Sequence, residues 1–264
     1  MAKPADTPAT ATIAEEVTRS NYLFRGMDQM ELSELLNSEG VARQKLYSSR
    51  PVYTAFRPDT STDVLYVVVS GGPIIVRSTP LDRIVALTYP GSCFGMRNLA
   101  LAYGRVSRSF PSLVEAYKTT NVIEIPVGIA KTLYTENEVF RQRYDYLFEL
   151  REKFQYHLLN CSTYPPQAVA TLLRALIYQE RSLGNQPQAD GLYVFDLPVD
   201  IIAHSAQLNH RTVEQVLKGM RRQGLILPPQ DDDLSTDTLR VADPEGLKEV
   251  YSATRDKVDW WPLK

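Results

Sequence analysis

Hydrophobic residues recur along this chain with two different periods, and the changes of period divide it. Near the start, Asp28–Asn37 (DQMELSELLN) predicts a short helix with Met30, Leu32, Leu35 and Leu36 available for burial. From about Lys45 to Ile125 the pattern is that of strands. Short β-rich runs at Val52–Phe56, Val64–Val69, Ile74–Arg77, Ile84–Tyr89, Leu113–Tyr117 and Val122–Ile125 are separated by Pro, Gly, Asp and Ser. Ser70-Gly71-Gly72 and Tyr89-Pro90-Gly91 are the clearest turns. Such punctuation predicts an antiparallel barrel or jelly roll. After Pro126 the helical period returns. Glu136–Cys161 places Phe140, Leu147, Leu150, Phe154 and Cys161 at heptad-like steps, interrupted by Arg143 and His157. A long helix with so narrow an apolar stripe is expected to pack on a copy of itself rather than on the barrel. Tyr164-Pro165-Pro166 then marks a hinge, with proline tolerated at the start of the next helix. That helix, Gln167–Leu183, buries Val169, Leu172, Leu173, Leu176 and Ile177, and Leu192–Leu197 (LYVFDL) alternates like a strand.

The most informative stretch is LPVDIIAHSAQLNHRTVEQVLKGMRRQGLI, beginning at Leu197. Asp200 is expected to cap a helix whose apolar stripe runs through Ile201, Ile202, Ser205 and Ala206. Asn209 offers a second N-cap, and Val213, Val216, Leu217 and Met220 recur through the following helix. Only Gln207 and Leu208 separate the first stripe from the second cap, a gap that suits two helices crossing steeply, as in DNA-binding pairs. His210, Arg211, Thr212 and Gln215 begin the second helix away from its apolar stripe, where side chains reach base edges in a major groove. Lys218, Arg221 and Arg222 follow, placed for phosphates. Leu225–Leu227 and Thr238–Val241 could pair as the wing of a winged helix, with Asp231-Asp232-Asp233 in the loop between them.

Length and composition narrow the choices. A chain of 264 residues makes one large domain or two of ordinary size, and 44% hydrophobic with 23% charged residues is ordinary for a globular protein. The net charge is −2, so affinity for nucleic acid must come from a local patch. Within Pro198–Leu225, Arg211, Lys218, Arg221 and Arg222 oppose only Asp200 and Glu214. Two cysteines, Cys93 and Cys161, give no disulfide framework or metal-binding set, which suits a reducing cytosol. A jelly roll could also house a metalloenzyme of the cupin type, but His157, His204 and His210, the three histidines, all lie outside the strand region. With no GxSxG, P-loop or GxGxxG either, an enzyme is not expected. Met1–Thr12 lacks a hydrophobic signal core, no apolar run is long enough to cross a membrane, and residues 1–20 are expected to form a disordered tail.

The order of β-roll, long helix, hinge and winged helix-turn-helix resembles the catabolite-activator and fumarate–nitrate-regulator superfamily of bacterial transcription factors, over about Tyr22–Thr254. The residues that carry the resemblance are LYVVVSG (Leu65–Gly71), PGSCFG (Pro90–Gly95), LALAYG (Leu99–Gly104), Arg108-Ser109 and the helix-turn-helix. It implies an α+β fold with an effector-sensing β-roll (residues 21–135), a dimerisation helix (136–161) and a DNA-binding domain (165–254), followed by a tail (255–264). The implied protein is a cytoplasmic homodimer reading a two-fold symmetric site in double-stranded DNA through Asn209, His210, Arg211, Thr212, Gln215, Lys218 and Arg222. RNA polymerase is a further implied partner, and no membrane is. Half-sites in such complexes lie about 34–36 Å apart.

Departures from the family pattern change what is expected. Cyclic-nucleotide sensors place a ribose-binding Glu directly after Phe-Gly; here Phe94-Gly95 is followed by Met96-Arg97-Asn98. Phe110-Pro111 follows Arg108-Ser109 where small residues are usual. No cofactor is expected, and cyclic AMP is not the expected effector. Arg97, Arg108 and Ser109 suit another small anion, with a structural ion pair as the alternative role of Arg108. In the DNA-reading helix, His210-Arg211 stand where Arg-Glu is common and Gln215 where a second Arg is common, so the operator should differ: Arg favours guanine and Gln adenine. Pro198 and Asp200 replace polar residues that often touch phosphates, and Gln207 replaces a turn glycine. A degenerate sensor that binds a partner protein and no longer binds DNA is the alternative.

Overall fold

The strand-forming runs assemble into two antiparallel sheets packed face to face, in a computed structural model that describes residues 11–55, 63–78, 82–96, 112–228, 230, 237–253 and 258–262. The chain opens with helices α1 (Ile13–Ser20) and α2 (Gln29–Leu36). Strands β1 (Ala42–Leu46), β2 (Pro51–Ala55), β3 (Val64–Gly71), β4 (Ile74–Ser78), β5 (Arg83–Thr88), β6 (Cys93–Phe94), β7 (Ser112–Ala116) and β8 (Thr120–Pro126) follow. Helices α3 (Val127–Glu136) and α4 (Glu138–Leu159) lead through a short hinge to α5 (Pro165–Ser182). The C-terminal unit continues with β9 (Tyr193–Asp196), α6 (Val199–Ala206), α7 (His210–Arg222), β10 (Ile226–Leu227), β11 (Thr238–Val241) and α8 (Pro244–Ser252).

One sheet has the order β1-β8-β3-β6 and the other β2-β7-β4-β5. Tyr66, Val68, Phe94 and Val122 of the first meet Ile74, Val76, Val85 and Val114 of the second in a shared core. The outer faces are covered as well. Leu65, Val67, Ile123 and Ile125 join Val17, Leu32, Leu133 and Tyr144 of α1–α4 in a second cluster. Ile75, Ile84 and Leu87 join Leu173, Ile177 and Ile202 of α5 and α6 in a third, which continues through the C-terminal unit. Burial on both faces is why β3, β4 and β5 read as continuous apolar runs rather than alternating ones.

Two expectations are corrected here. Residues 13–20 do not continue a disordered tail; they form α1. The Thr12 hydroxyl accepts from the Glu15 amide at 3.2 Å, the Glu15 carboxylate accepts from the Thr12 amide at 2.9 Å, and Val17 is fully buried. The apolar stripe of α4 is not open to a second copy either. Phe140, Leu147 and Leu150 are buried with the first sheet, and Phe154 with the C-terminal unit. An amphipathic stripe dictates that a face is buried, not which surface buries it, and here the chain's own cores do so. Arg143, which interrupts the stripe, donates to the Arg25 carbonyl at 2.6 Å. The far end of α4 is held by the roll. Arg83 of β5 donates to the carbonyl of Leu158, to that of Leu159 at 3.1 Å and to Cys161 Sγ at 3.0 Å, setting a cation at the negative end of the helix. Among the described residues no helix is long and apolar enough to cross a membrane.

Candidate nucleic-acid interface

The helix pair α6–α7 is built by three local devices. Pro198, with φ −61°, occupies the N-cap of α6, and among the described residues no side chain caps that end. Asp200 is therefore not the cap expected from the sequence. It lies in the first turn, where the helix dipole favours a carboxylate, and its Oδ1 accepts from the Tyr117 hydroxyl at 3.2 Å. Gln207 ends α6 in the left-handed region (φ 54°, ψ 43°), the conformation that glycine adopts without strain. Its amide donates to Ala203, and its side-chain Nε2 to the His204 carbonyl at 3.0 Å. Asn209 then caps α7, its Oδ1 accepting from the Thr212 amide at 2.8 Å. Ile201 and Ile202 of α6 share one core with Val213, Val216, Leu217 and Met220 of α7.

That core fixes which face of α7 is free. At 100° per residue, Arg211, Gln215, Lys218 and Arg222 fall within an arc of about 60° directly opposite the buried stripe, along about 16 Å of helix. All four are exposed. His210, also exposed, borders this face, with Nδ1 3.7 Å from Glu214 Oε1. Thr212 is half-buried on the other flank, and the side-chain oxygen of Asn209 is engaged by the cap. Of the seven residues expected to meet DNA, four thus form one continuous face, His210 edges it, and Asn209 and Thr212 shape its start. The chemistry of the face is a guanidinium fork, an amide that both donates and accepts, and two further cations. A helix with its side chains measures about 10–12 Å across, comparable with the width of a B-DNA major groove.

Beside α7, β10 pairs with β11 through Ile226↔Val241 and Leu227↔Arg240, and β11 pairs with β9. The two strands expected for a wing are therefore present, while the Asp231–Asp233 loop lies outside the described residues. The roll seats this unit through a polar layer as well as an apolar one. Lys118, in the β7–β8 turn, reaches Asp196 Oδ1 at 2.6 Å and Asp237 Oδ2 at 3.1 Å. The Tyr89 hydroxyl donates to the Asp196 carbonyl at 3.0 Å, and His204 Nε2 of α6 lies 3.8 Å from Asp82 Oδ2. Burial first, and then the carboxylates of Asp200, Asp237 and Asp196, push the Tyr117 phenol up to about 12. Sequence reasoning missed this layer. Its partners are 78 residues apart for Lys118 and Asp196 and 107 apart for Tyr89 and Asp196, and no local period records such pairs.

Arg97, Arg108 and Ser109, the expected effector residues, lie outside the described residues. Just before them, Phe94 stacks on Tyr66 with ring centroids 4.5 Å apart, and Met96 is buried. Burial pushes the Cys93 thiol up to about 12, which leaves it protonated and unreactive near neutrality. Among the described residues no three metal-ligating side chains gather into a cluster.

No protein-family model and no curated protein matches the sequence. Solved structures share its fold. FixK2 from Bradyrhizobium japonicum is 16% identical, with 79% of this chain and 96% of that one covered at a TM-score of 0.58. A CooA mutant from Carboxydothermus hydrogenoformans is 18% identical over 83% of this chain and 94% of that one, with a TM-score of 0.55. CLP, a c-di-GMP responsive global regulator from Xanthomonas campestris, is 14% identical over 82% of this chain and 100% of that one, with a TM-score of 0.51. At such identities the likeness is one of fold. The chain shares with them a β-roll followed by a C-terminal helix-turn-helix unit.

Proposed function

We propose that a chain with this fold and this helix face is a transcription regulator that binds a two-fold symmetric DNA site as a homodimer and does not need cyclic AMP to do so. The observation that carries the reading is the stripe of Arg211, Gln215, Lys218 and Arg222, exposed on α7 and backed by a buried apolar core. Arg211 and Gln215, near the N-terminal end of the helix, are the base-reading pair; Lys218 and Arg222 meet phosphates. Asn209, His210 and Thr212 set and border the entry. RNA polymerase is the partner such a regulator implies.

With the apolar stripe of α4 buried at home, the dimer face moves to the opposite side of that helix. Val139, Gln142, Tyr146, Glu149, Lys153 and Tyr156 repeat there at alternating steps of three and four, the spacing of a coiled-coil seam. Val139 and Tyr156 are 48% and 66% exposed in the single chain, apolar surface that a second copy would cover. The mixed polarity of the seam suits a modest, concentration-dependent dimer. For the effector, the buried Met96 stands where a nucleotide sensor presents its Glu, and an unpaired ribose hydroxyl costs about 1–3 kcal/mol. Arg97, Arg108 and Ser109 remain the groups for a different small anion.

Selection of DNA bound by the intact chain from a random pool tests this reading directly. Enrichment of a two-fold symmetric site, with half-sites about one helical turn apart and without added cyclic AMP, is the expected outcome. Failure to enrich any sequence would favour the partner-binding alternative.

A further inference from the structure

Between the C-terminal half of α4 and the adjacent face of α5 lies a groove of about 290 Å³, bordered by Tyr251 of α8. Its walls repeat at helical spacing. Leu150, Lys153, Phe154 and His157 line it from α4, and Thr171, Arg174, Ala175 and Tyr178 from α5. The space exists because two of these residues are small. Ala175 offers one methyl, and the Thr171 hydroxyl turns back onto the Gln167 carbonyl at 2.7 Å. Gln167 also fixes the third wall, its Nε2 donating to the carbonyls of Tyr251 at 3.3 Å and Ala253 at 2.7 Å. The groove is therefore formed in advance of any occupant.

Its chemistry is divided. Leu150, Phe154 and Ala175 give an apolar floor, while Lys153, His157 and Arg174 bring cationic or cation-forming groups to the rim. Among the described residues Lys153 has only an exposed i,i+4 partner, Glu149 at 3.4 Å, a pair of little strength. The Arg174 guanidinium lies over the Tyr251 ring, 4.4 Å from its centroid, and among the described residues it has no carboxylate partner. Stacking of this kind holds the fork in place and leaves its N–H edges for an in-plane acceptor. Among the described residues no acidic side chain lines the groove.

We propose that this groove binds a small amphipathic carboxylate, with the apolar body on Leu150, Phe154 and Ala175 and the anionic head on Arg174. A volume at the lower end of the range for ligand pockets suits one fused aromatic pair or a chain of about eight carbons. The groove residues are distinct in sequence from Arg97, Arg108 and Ser109, the effector residues expected from the sequence. The groove touches both sides of the hinge, so an occupant ties the long helix of the roll to the first helix of the C-terminal unit. Any effect of that tie on DNA affinity rests on the function proposed above; the binding itself does not.

Titration calorimetry of the full chain with 2-naphthoate and with octanoate tests the site. Saturable binding at one per chain is expected. Arg174→Met should weaken it roughly tenfold or more, Arg174→Lys less, and Ala175→Phe, which fills the space, should abolish it. Neutral 1-octanol should bind roughly tenfold more weakly than octanoate. Circular-dichroism melting confirms that each variant is folded, and Arg174→Lys serves where Arg174→Met is not. No saturable binding to the wild type, wild-type affinity in both Arg174→Met and Ala175→Phe, or octanol binding as tightly as octanoate would each overturn the proposal. Were Ala175→Phe to split a dimer while the wild type ignored both carboxylates, the occupant would be a second copy and the proposal would fall. None of these readouts uses DNA, so failure of the regulator reading leaves them intact.

Discussion

Replacing Lys118 with Met should destabilise the chain by about 1–2 kcal/mol by loosening the seat of the C-terminal unit on the roll. The ammonium bridges Asp196 at 2.6 Å and Asp237 at 3.1 Å, and the three side chains are 34%, 28% and 34% exposed. A fully dry charge-assisted bond contributes about 1.5–3 kcal/mol and an exposed pair about 0.2–1, so two bonds at one-third exposure give about 0.5–1 each. Methionine keeps most of the apolar stem, which confines the change to the charge. The direction with pH follows from the same contacts. Burial alone would lower the pKa of Lys118, but its bonds to Asp196 and Asp237 outweigh that and raise it above 10.5. The folded-state pKa exceeds the unfolded one, so this stabilisation is complete below pH 10.5 and is lost as pH rises through the folded value. Urea unfolding of wild type and variant at low salt should show the full gap at about pH 7 and a gap that narrows as pH rises past the ordinary lysine value of 10.5. A gap below about 0.3 kcal/mol at neutral pH, or one undiminished in alkali, would refute the argument.

Three further outcomes are expected. Arg211→Ala should cost about 1–3 kcal/mol on the specific site and relax preference at one base pair per half-site, whereas Lys218→Ala or Arg222→Ala should weaken binding to every sequence and flatten its salt dependence; equal losses on specific and random DNA for Arg211→Ala would make it a phosphate contact only. Gln207→Gly should stabilise the chain by about 0.5–1 kcal/mol, because the left-handed conformation costs glycine nothing; a lower urea midpoint would show that the side-chain bond to His204 outweighs that strain. Val139→Glu combined with Tyr156→Glu should give monomers by light scattering with the fold intact, while Leu147→Glu should instead unfold the chain; a double variant that stays dimeric would place the seam elsewhere.

The sequence was most legible where a local signal and a buried face coincide. The Asn209 cap and the stripe from Val213 to Met220 locate α7 unaided, and the apolar runs from Val64 to Tyr89 locate three strands. β1 was invisible for a physical reason: Ala42-Arg43-Gln44-Lys45 is exposed at a sheet edge, and only Leu46 is buried. β6 is too short, at two residues, to carry any period. For α1 the signal was present, since Thr12 and Glu15 have capping-box spacing, but the Ala/Thr/Pro-rich start obscured it. The helix of Asp200 begins two residues earlier than a capping rule suggests, because Pro198 sets its own φ and Asp200 is drawn to Tyr117. The burial of α4 differs from its sequence pattern for another reason. Spacing along one helix counts the residues to be buried, whereas the covering surface comes from distant segments. The same holds for the layer around Lys118. In the candidate interface, the exposed face of α7 could be read almost residue by residue, while the contacts that orient it could not.

Ile75, Ile84 and Leu87 lie in one continuous apolar cluster with α5, α6 and α7. The two halves of the chain are thus not modules in the usual sense, joined by a linker and free to be exchanged. Severed near the hinge, each half would carry an uncovered oily face into water and would tend to aggregate before it could be studied. A C-terminal unit grafted from another protein of this fold would have to bring a matching surface for β4 and β5. The DNA specificity proposed for this chain is therefore best altered by changing side chains on α7, where the solvent-facing stripe can vary while the shared cluster beneath it stays whole.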